Sequence, residues 1–240
     1  MKINEIRNLL KECENSIIFA ILERARWKSN DNAYFNGKSK SIFTRMLVGT
    51  ECLHDKLGRY NSSEQHPFTD IMLDREVDGD RDVEGNDFLS ESKMKYFLNR
   101  RHMSININNT ILENYFKKVL PKITKPGSDD NLVSVVTADI NLLQVISRRI
   151  HLGKLVAQIK YNEEPKWYRQ SHTELEITEK LTNKEVEETI LERVGEKQKK
   201  IMCLVNDEIL ECDCIKEIYR DLIIPLTKQV EIRYFRLLNS

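Results

Sequence analysis

The sequence predicts an all-α protein, a single-domain bundle of about ten or more helices that spans residues 1–240. Glycine and proline, which interrupt helices, number only 8 and 5, whereas charged residues make up 32% of the chain. This composition is typical of a mostly helical protein. Apolar residues also recur three or four positions apart over most of the chain, as they do on the buried face of a helix. A chain of 240 residues is long enough to bury a sizeable core.

Apolar periodicity predicts four helices in the first two thirds of the chain, at residues 2–27, about 40–60, about 107–123 and about 136–162. Thr137 or Ser134 is expected to cap the amino end of the fourth helix. The stretch 61–92 is different, because it is polar, acidic and aperiodic. We expect it to form a long solvated loop inserted between the second and third helices.

Two further helices are predicted after the break at Pro165. The first begins at Thr182, which forms a capping box with Glu185, and continues to about Lys200. The last helix spans about 213–238 and contains Pro225. A kink is expected at this proline, because proline lacks a backbone donor and crowds the preceding turn.

Charge and hydropathy exclude several classes of protein. Lysine plus arginine and aspartate plus glutamate number 38 each, so net charge gives no argument for binding to nucleic acid or a membrane. The first turns lack the apolar region of a signal peptide, and the longest apolar stretches are too short to span a bilayer. Five scattered cysteines are most simply reduced thiols, which predicts a cytoplasmic protein.

Two patterns that approach metal sites do not predict a bound metal. Cys212 and Cys214 lack the C-x-x-C spacing and the nearby histidine of a zinc site. The acidic stretch 80–91 comes close to a calcium-binding loop, but Glu84 stands where Asp or Asn is usual, and Asp87 replaces an apolar residue. We therefore interpret this stretch as part of a solvated loop.

Two cations lie on the apolar face of the fourth predicted helix. Arg149 and Lys160 are eleven residues apart, close to three helical turns, so they share that face. A buried cation is costly unless an anion meets it, which predicts an anion pocket. Gly153 lies between the two cations, where a missing side chain leaves room for a ligand. The residues predicted to point into solvent are Arg148, His151 and Lys154.

Polar side chains also occupy the apolar faces of three other helices: Arg7 on the first, Asn183 and Glu187 on the helix after Thr182, and Thr227 and Glu231 on the last. Glu14, two turns after Arg7, is a possible partner for that arginine. An internal salt bridge explains any one of these residues. Four helices that each turn a polar group inward instead predict a ligand site inside a four-helix arrangement.

The residue types in this pocket favour binding and orientation of an anion. Arg7, Arg149 and Lys160 bring three positive charges, against the two negative charges of Glu187 and Glu231. The net charge of the pocket is therefore +1, which a dianion exceeds. Protonation of one glutamate would bring the complex to neutrality. No nucleophile–base pair, glycine-rich phosphate loop or dinucleotide fingerprint is present in the sequence. We therefore predict no covalent chemistry and no cofactor.

Several segments together resemble the eukaryotic-type, all-helical chorismate mutases of the AroQ class. They follow the family order over most of the chain, and they read IRNLLKECENSIIFAILERA, SVVTADINLLQVISRRIHLGKLVAQIK, LTNKEVEETILERV and IIPLTKQVEIRYFRLL. The resemblance implies an isomerase that converts chorismate to prephenate by a Claisen rearrangement, on the branch to phenylalanine and tyrosine. A pericyclic step needs no nucleophile, metal or cofactor, which agrees with the residues of the pocket.

The resemblance also implies a role for each polar residue of the pocket. The catalytic set is Arg7 and Arg149 on the two substrate carboxylates, Lys160 on the ether oxygen, and Glu231 as a protonated acid on the same oxygen. The substrate-binding set is Thr227 beside a carboxylate, with Asn183 and Glu187 on the ring hydroxyl. Every position of the catalytic set carries the residue type that the family leads one to expect.

By the same resemblance, the protein is expected to be a homodimer with an aromatic amino acid, tyrosine or tryptophan, as effector. The residues that match the effector site are Arg59, Asn131 and Ser134. Gly58 stands where a second arginine is expected, and Val133 stands where a glycine is expected. These departures argue against inhibition by tyrosine and activation by tryptophan.

The alternative is a non-catalytic helical protein of the same fold that binds a small anion or another protein. Loss of Arg149, Lys160 or Glu231 would favour a decayed site, and none of the three is lost. A binding protein without turnover uses the same groups, so the sequence leaves that alternative open.

Overall fold

The all-helical class is confirmed by a computed structural model, which describes residues 3–34, 41–69, 98, 102, 104–205, 210–211 and 213–238. Most of the predicted acidic loop, including the calcium-like stretch, lies outside the described residues, as does Cys212. Among the described residues, no helix combines the length and apolar character that crossing a bilayer requires.

The described helices, in chain order, are α1 (Ile3–Ala25), α2 (Ile42–Lys56), α3 (Asn108–Asn114), α4 (Leu120–Ile123), α5 (Leu132–His151), α6 (Gly153–Glu163), α7 (Pro165–Tyr168), α8 (Glu174–Leu181), α9 (Lys184–Val205), α10 (Cys214–Ile218) and α11 (Ile224–Leu238). Short 3₁₀ turns occupy Asp31–Ala33 and Arg59–Asn61. Two π turns, Tyr115–Val119 and Tyr219–Ile223, join α3 to α4 and α10 to α11. One apolar cluster contains buried side chains from α1 through α11.

Each π turn ends two residues before a proline, Pro121 in the first case and Pro225 in the second. The bonds that close the turns run five residues back, from the Leu120 amide to the Tyr115 carbonyl and from the Ile224 amide to the Tyr219 carbonyl. A proline cannot donate to the carbonyl four residues before it and crowds that carbonyl. The wider π turn relieves this crowding. The disturbance predicted at Pro225 therefore takes the form of a π turn.

The fourth predicted helix is two helices, α5 and α6, which meet at Leu152. Asn131 caps α5, because its Oδ1 accepts the Ser134 amide at 3.1 Å. The predicted caps, Thr137 and Ser134, are wrong, and the helix begins earlier than its apolar pattern indicated. The exposed Val133 in the first turn contributes little to that pattern.

The predicted capping box at Thr182 and Glu185 is also wrong. Thr182 ends α8, and Asn183 caps α9 by accepting the Val186 amide through Oδ1 at 3.1 Å. An asparagine satisfies the free amides of a helix start as well as a threonine does, so two adjacent caps are hard to distinguish in sequence. The helix continues to Val205, beyond its predicted end.

A buried carboxylate joins the end of α1 to the middle of α5. Asp139 is fully buried and accepts hydrogen bonds from Arg24 Nε at 2.5 Å, from the Tyr34 hydroxyl at 2.6 Å and from the Tyr115 hydroxyl. Burial raises the pKa of the Asp139 carboxyl, and the Arg24 charge opposes that rise. Because a buried charge is tolerated only when it is paired and hydrogen-bonded, this network fixes how α1 packs on α5.

The prediction that His151 and Lys154 point into solvent is wrong, since both are fully buried. The Ile107 amide donates to His151 Nε2 at 3.1 Å, and His151 Nδ1 lies 2.8 Å from the Ser147 carbonyl. This geometry assigns the proton to Nδ1 and makes the imidazole neutral. Arg148, on the same side of α5, is partly exposed.

Lys154 is buried because a separate part of the chain covers its side of α6. Its Nζ donates to the Ser63 carbonyl at 2.7 Å and lies 2.5 Å from His66 Nε2. Burial lowers the pKa of Lys154 to about 7, and the Glu64 carboxylate opposes this effect. The residues that cover it belong to the segment predicted to be solvated, and Ser63 and Glu64 are themselves buried.

We predict that Lys154→Met removes a pH dependence from folding stability. In the unfolded chain Lys154 keeps its proton up to its ordinary pKa of 10.5, whereas in the folded chain the pKa is about 7. Between these values the unfolded state binds more protons, so the free energy of unfolding rises with pH, by up to about 1.4 kcal/mol per pH unit. Urea denaturation of both proteins at several pH values measures the difference. Parallel stability curves for the two proteins would contradict the assignment.

Candidate active site

The predicted pocket residues lie on helices that pack together. Helix α1 packs on α5, α6 and α9, and α11 packs on α5 and α6. The predicted four-helix arrangement is therefore present, with α5 and α6 together forming one of its sides. Helix α11 carries two of the predicted polar residues on the side that faces α5 and α6.

Arg149 and Thr227 are in contact. Arg149 is 4% exposed near the end of α5, and its Nη1 lies 3.4 Å from the Thr227 hydroxyl oxygen. The Thr227 hydroxyl donates to the Ile223 carbonyl at 2.7 Å, so its oxygen is oriented to accept from the arginine. Within the described part of the chain, Arg149 Nε has no hydrogen-bond partner although it is buried. An anion beside this guanidinium would satisfy that donor.

Lys160 and Glu231 form a second contact, one turn further along α11. Lys160 Nζ donates to Glu231 Oε2 at 2.8 Å, and the glutamate is 5% exposed while the lysine is only partly buried. Burial raises the pKa of the Glu231 carboxyl, and the charges of Lys160 and Arg149 oppose that rise. The pair therefore combines a cation with a carboxyl group that resists ionisation.

Asn183 and Glu187 lie at the beginning of α9. Asn183 is exposed and uses Oδ1 as the helix cap. Glu187 is partly buried and forms an ion pair through Oε1 with Lys228 Nζ at 2.8 Å. Lys228 follows Thr227 directly and was missed in the sequence. Its position three residues before Glu231 was the available signal, because residues three apart on a helix are neighbours.

Arg7 is exposed on α1, so its predicted place on a buried face is wrong. Its predicted partner Glu14 is buried but pairs with α9, accepting from Arg193 at 2.5 Å and from Lys197 at 2.9 Å. Burial opposes ionisation of Glu14, yet the bonds from both cations outweigh it and lower the pKa. Arg7 lies in the second turn of α1.

Tyr219 is a further buried polar residue that the sequence analysis missed. Its side chain is fully buried, and its hydroxyl has no hydrogen-bond partner among the described residues. Burial raises the pKa of this hydroxyl, and the nearby Arg149 charge opposes the rise. It lies in the π turn that precedes Thr227, so the Tyr219 hydroxyl is a second donor near Arg149 that lacks an acceptor.

Gly153 has a packing role. A Cβ atom at this position would lie 2.9 Å from the Thr227 carbonyl oxygen and 3.1 Å from Thr227 Cγ2. The predicted room for a ligand is therefore filled by α11. The missing side chain lets the first turn of α6 approach the turn of α11 that holds Thr227 and Val230.

Comparisons with known proteins agree with this arrangement. The family model "Chorismate mutase type II" matches residues 133–232. The chain is 34% identical to chorismate mutase 3, chloroplastic, of Arabidopsis thaliana, an alignment that covers 98% of this chain and 77% of the relative. It is 32% identical to the chorismate mutase of Schizosaccharomyces pombe, over 98% of this chain and 95% of that protein. The chain belongs to the chorismate mutase family.

Solved chorismate mutases have the same fold. The chloroplast chorismate mutase of Zea mays superposes with a TM-score of 0.83 at 33% identity, covering 99% of this chain and 96% of that one. A Candida albicans chorismate mutase in complex with L-Trp superposes with a TM-score of 0.84 at 29% identity, covering 100% and 93%. AtCM1 with tyrosine bound in an allosteric site gives a TM-score of 0.81 at 32% identity, covering 99% and 97%. The chain is therefore an enzyme of the chorismate mutase class.

The residues predicted for an effector site take part in local structure. Arg59 follows Gly58, whose φ of 77° ends α2, and donates from Nε to Gln65 Oε1 at 2.6 Å. Asn131 and Ser134 form the cap of α5. Arg59 Nη1 also lies 3.2 Å from His54 Nδ1, so both Arg59 and the Asn131 oxygen already have partners within the protein.

The chemistry available to this chorismate mutase is electrostatic. The described residues contain no group of three His, Cys, Asp or Glu side chains that would hold a metal ion. The pocket offers the unsatisfied donor of Arg149, the ammonium of Lys160 and the carboxyl of Glu231. These groups can bind carboxylates and stabilise negative charge on an ether oxygen.

We predict that Gly153→Ala lowers both stability and activity. The new Cβ meets a backbone oxygen, so α6 and α11 must separate, at a cost of about 1–3 kcal/mol. Lys160 and Glu231 lie on these two helices, so kcat should fall as well.

Gly49→Ala on α2 is a matched control, because nothing lies within 4 Å of its added Cβ. The control should be neutral or stabilising by up to about 1 kcal/mol. Thermal unfolding and steady-state kinetics measure both, and unchanged behaviour of Gly153→Ala would contradict the close approach.

Proposed function

We propose that the pocket between α1, α5, α6, α9 and α11 converts chorismate to prephenate. One observation carries this proposal. Thr227 and Glu231, one turn apart on α11, each contact a different cation, Arg149 at 3.4 Å and Lys160 at 2.8 Å. A carboxylate of the substrate and its ether oxygen can therefore be held side by side along a single helix.

The reaction is a concerted rearrangement in which a carbon–carbon bond forms as the ether carbon–oxygen bond breaks. No group of the enzyme has to form a covalent bond. The enzyme must hold the dianion in a compact chair and stabilise the negative charge that develops on the ether oxygen. We assign the carboxylates to Arg149, with Thr227 beside it, and to Arg7 on α1.

Lys160 and Glu231 bind the ether oxygen from two sides. They are bonded to each other in the free pocket, and the ether oxygen replaces that contact with one hydrogen bond from each. A carboxyl group donates only when it is protonated, and the burial of Glu231 favours that form. Asn183 and Glu187 hold the ring hydroxyl at the start of α9.

We propose that the protein acts as a homodimer in the cytoplasm and that any effector is an aromatic amino acid bound near Arg59. The L-Trp and tyrosine named for the Candida albicans enzyme and for AtCM1 support an effector of this class. Gly58 and Val133 depart from the family pattern, so we expect a weak response. Buried thiols at Cys13 and Cys214 support a reducing compartment. Analytical ultracentrifugation and cell fractionation test assembly and location.

We predict that Arg149→Ala abolishes most of the activity. Loss of one charged donor to the reacting dianion should cost about 3–4 kcal/mol, or about 10²–10³ in kcat/KM. The neighbouring Arg148→Ala is a matched control. Arg148 is partly exposed, and its ion pair with Glu64 is weak because the two groups are as far as 3.8 Å apart. The assay follows loss of chorismate absorbance, with and without tyrosine or tryptophan. A wild-type protein that binds chorismate without turnover would instead favour the anion-binding alternative.

We predict that activity falls as pH rises through the pKa of Glu231. Burial raises this pKa above its ordinary value, and the protonated carboxyl is the form that donates to the ether oxygen. Activity should therefore be highest below the pKa and decline above it. Glu231→Gln keeps a donor at every pH, so its profile should be flatter. Initial rates from pH 5 to 9 measure both profiles, and a variant that retains the wild-type pH dependence would refute the role of Glu231.

A further inference from the structure

Lys228 connects the beginning of α9 to the catalytic face of α11. Its Nζ forms an ion pair with Glu187 Oε1 at 2.8 Å and donates to the Thr182 hydroxyl at 3.0 Å. Thr182 and Glu187 stand on either side of Asn183, the cap of α9. One ammonium therefore fixes the part of the chain that carries both residues assigned to the substrate hydroxyl.

The setting of this ion pair differs from that of an ordinary surface pair. The side chains of Lys228 and Glu187 are 20% and 26% exposed, so the pair is partly shielded from water and from salt. Lys228 also lies between Thr227 and Glu231 in sequence, and its charge opposes the rise in the pKa of Glu231. The pair is thus part of the pocket's electrostatics.

Lys228 changes the charge balance of the site. Arg7, Arg149 and Lys160 alone leave a dianionic substrate and two ionised glutamates with one negative charge in excess. A fourth cation brings the complex to neutrality with both glutamates ionised. When Glu231 is protonated, the complex carries one excess positive charge, which favours negative charge on the ether oxygen.

We propose that Lys228 is a positioning residue for the reaction: it holds Glu187 through Oε1 and leaves Oε2 to accept the ring hydroxyl of the substrate. The ion pair at 2.8 Å fixes Oε1 and so fixes the direction in which Oε2 can accept a hydrogen bond. Thr182 fixes the direction from which the ammonium approaches. This role rests on the proposed function of the pocket and concerns the hydroxyl end of the substrate.

A double-mutant cycle tests the proposal. Lys228→Met and Glu187→Gln are made singly and together, and kcat and KM for chorismate are measured for each. Lys228→Met should lower kcat/KM about tenfold, the loss expected when one charge-assisted contact is no longer aligned. In the Glu187→Gln background the same change should have less than about a twofold effect, because Lys228 acts through Glu187.

Two further variants separate positioning from packing. Lys228→Arg retains the charge and a donor, and it should recover most of the lost kcat/KM. Lys216→Met is the matched control, because Lys216 is 24% exposed and forms an ion pair with Glu188 on the same helix as Glu187, at 3.8 Å. It should leave kcat and KM unchanged, even if its melting temperature shifts as much as that of Lys228→Met.

The possible results distinguish failure of the Lys228 proposal from failure of the proposed function. Single effects that multiply in the double variant would overturn the proposal, because Lys228 would then act on the substrate independently of Glu187. Full activity of Lys228→Met or of Glu187→Gln would also overturn it, while loss of activity in Arg149→Ala would still support the pocket's function. A wild-type protein without turnover would instead overturn the proposed function itself.

Discussion

The site depends on the close approach of α6 to α11 at Gly153. A glycine at the first position of α6 lets the backbone of that helix lie against the Thr227 carbonyl, with no room for a Cβ. Because both helices are rigid, this contact sets the spacing of everything beyond it. Lys160, two turns along α6, then reaches Glu231, one turn along α11, at 2.8 Å. The contact between Lys160 and Glu231 is thus a consequence of backbone packing rather than of side-chain flexibility.

Buried charges on either side of the pocket hold the surrounding helices in register. Asp139 ties α1 to α5 through Arg24, and Glu14 ties α1 to α9 through Arg193 and Lys197. An isolated buried charge would be costly, so each pair specifies one arrangement of its helices and penalises any slip. These pairs are already satisfied within the protein. The Arg149 Nε and the Tyr219 hydroxyl, by contrast, have no hydrogen-bond partner among the described residues.

Sequence periodicity predicted the helices and the polar groups that meet between α5, α6 and α11, because a helix face is defined by residues within about three turns of each other. Arg149 and Lys160 were found since the face they share is local. Lys154 was mispredicted for two physical reasons: the helix breaks at Leu152, and the turn that covers Lys154 comes from about ninety residues earlier in the chain. Lys228 was missed because its partner lies on a different helix. A local sequence pattern does not distinguish a polar residue that faces water from one that pairs with a glutamate far away in the chain.

Lys228 also alters the argument for a protonated Glu231. With three cations, protonation was required to balance the charge of a dianion, so it followed from counting alone. With four, the bound complex is neutral when both glutamates are ionised, and protonation must be driven locally by the burial of Glu231. Lys160, Arg149 and Lys228 all oppose it. The proposed protonated form of Glu231 is therefore favoured by the negative charge that develops on the ether oxygen. A neutral donor on one side and an ammonium on the other stabilise this charge better than an ammonium facing a carboxylate does.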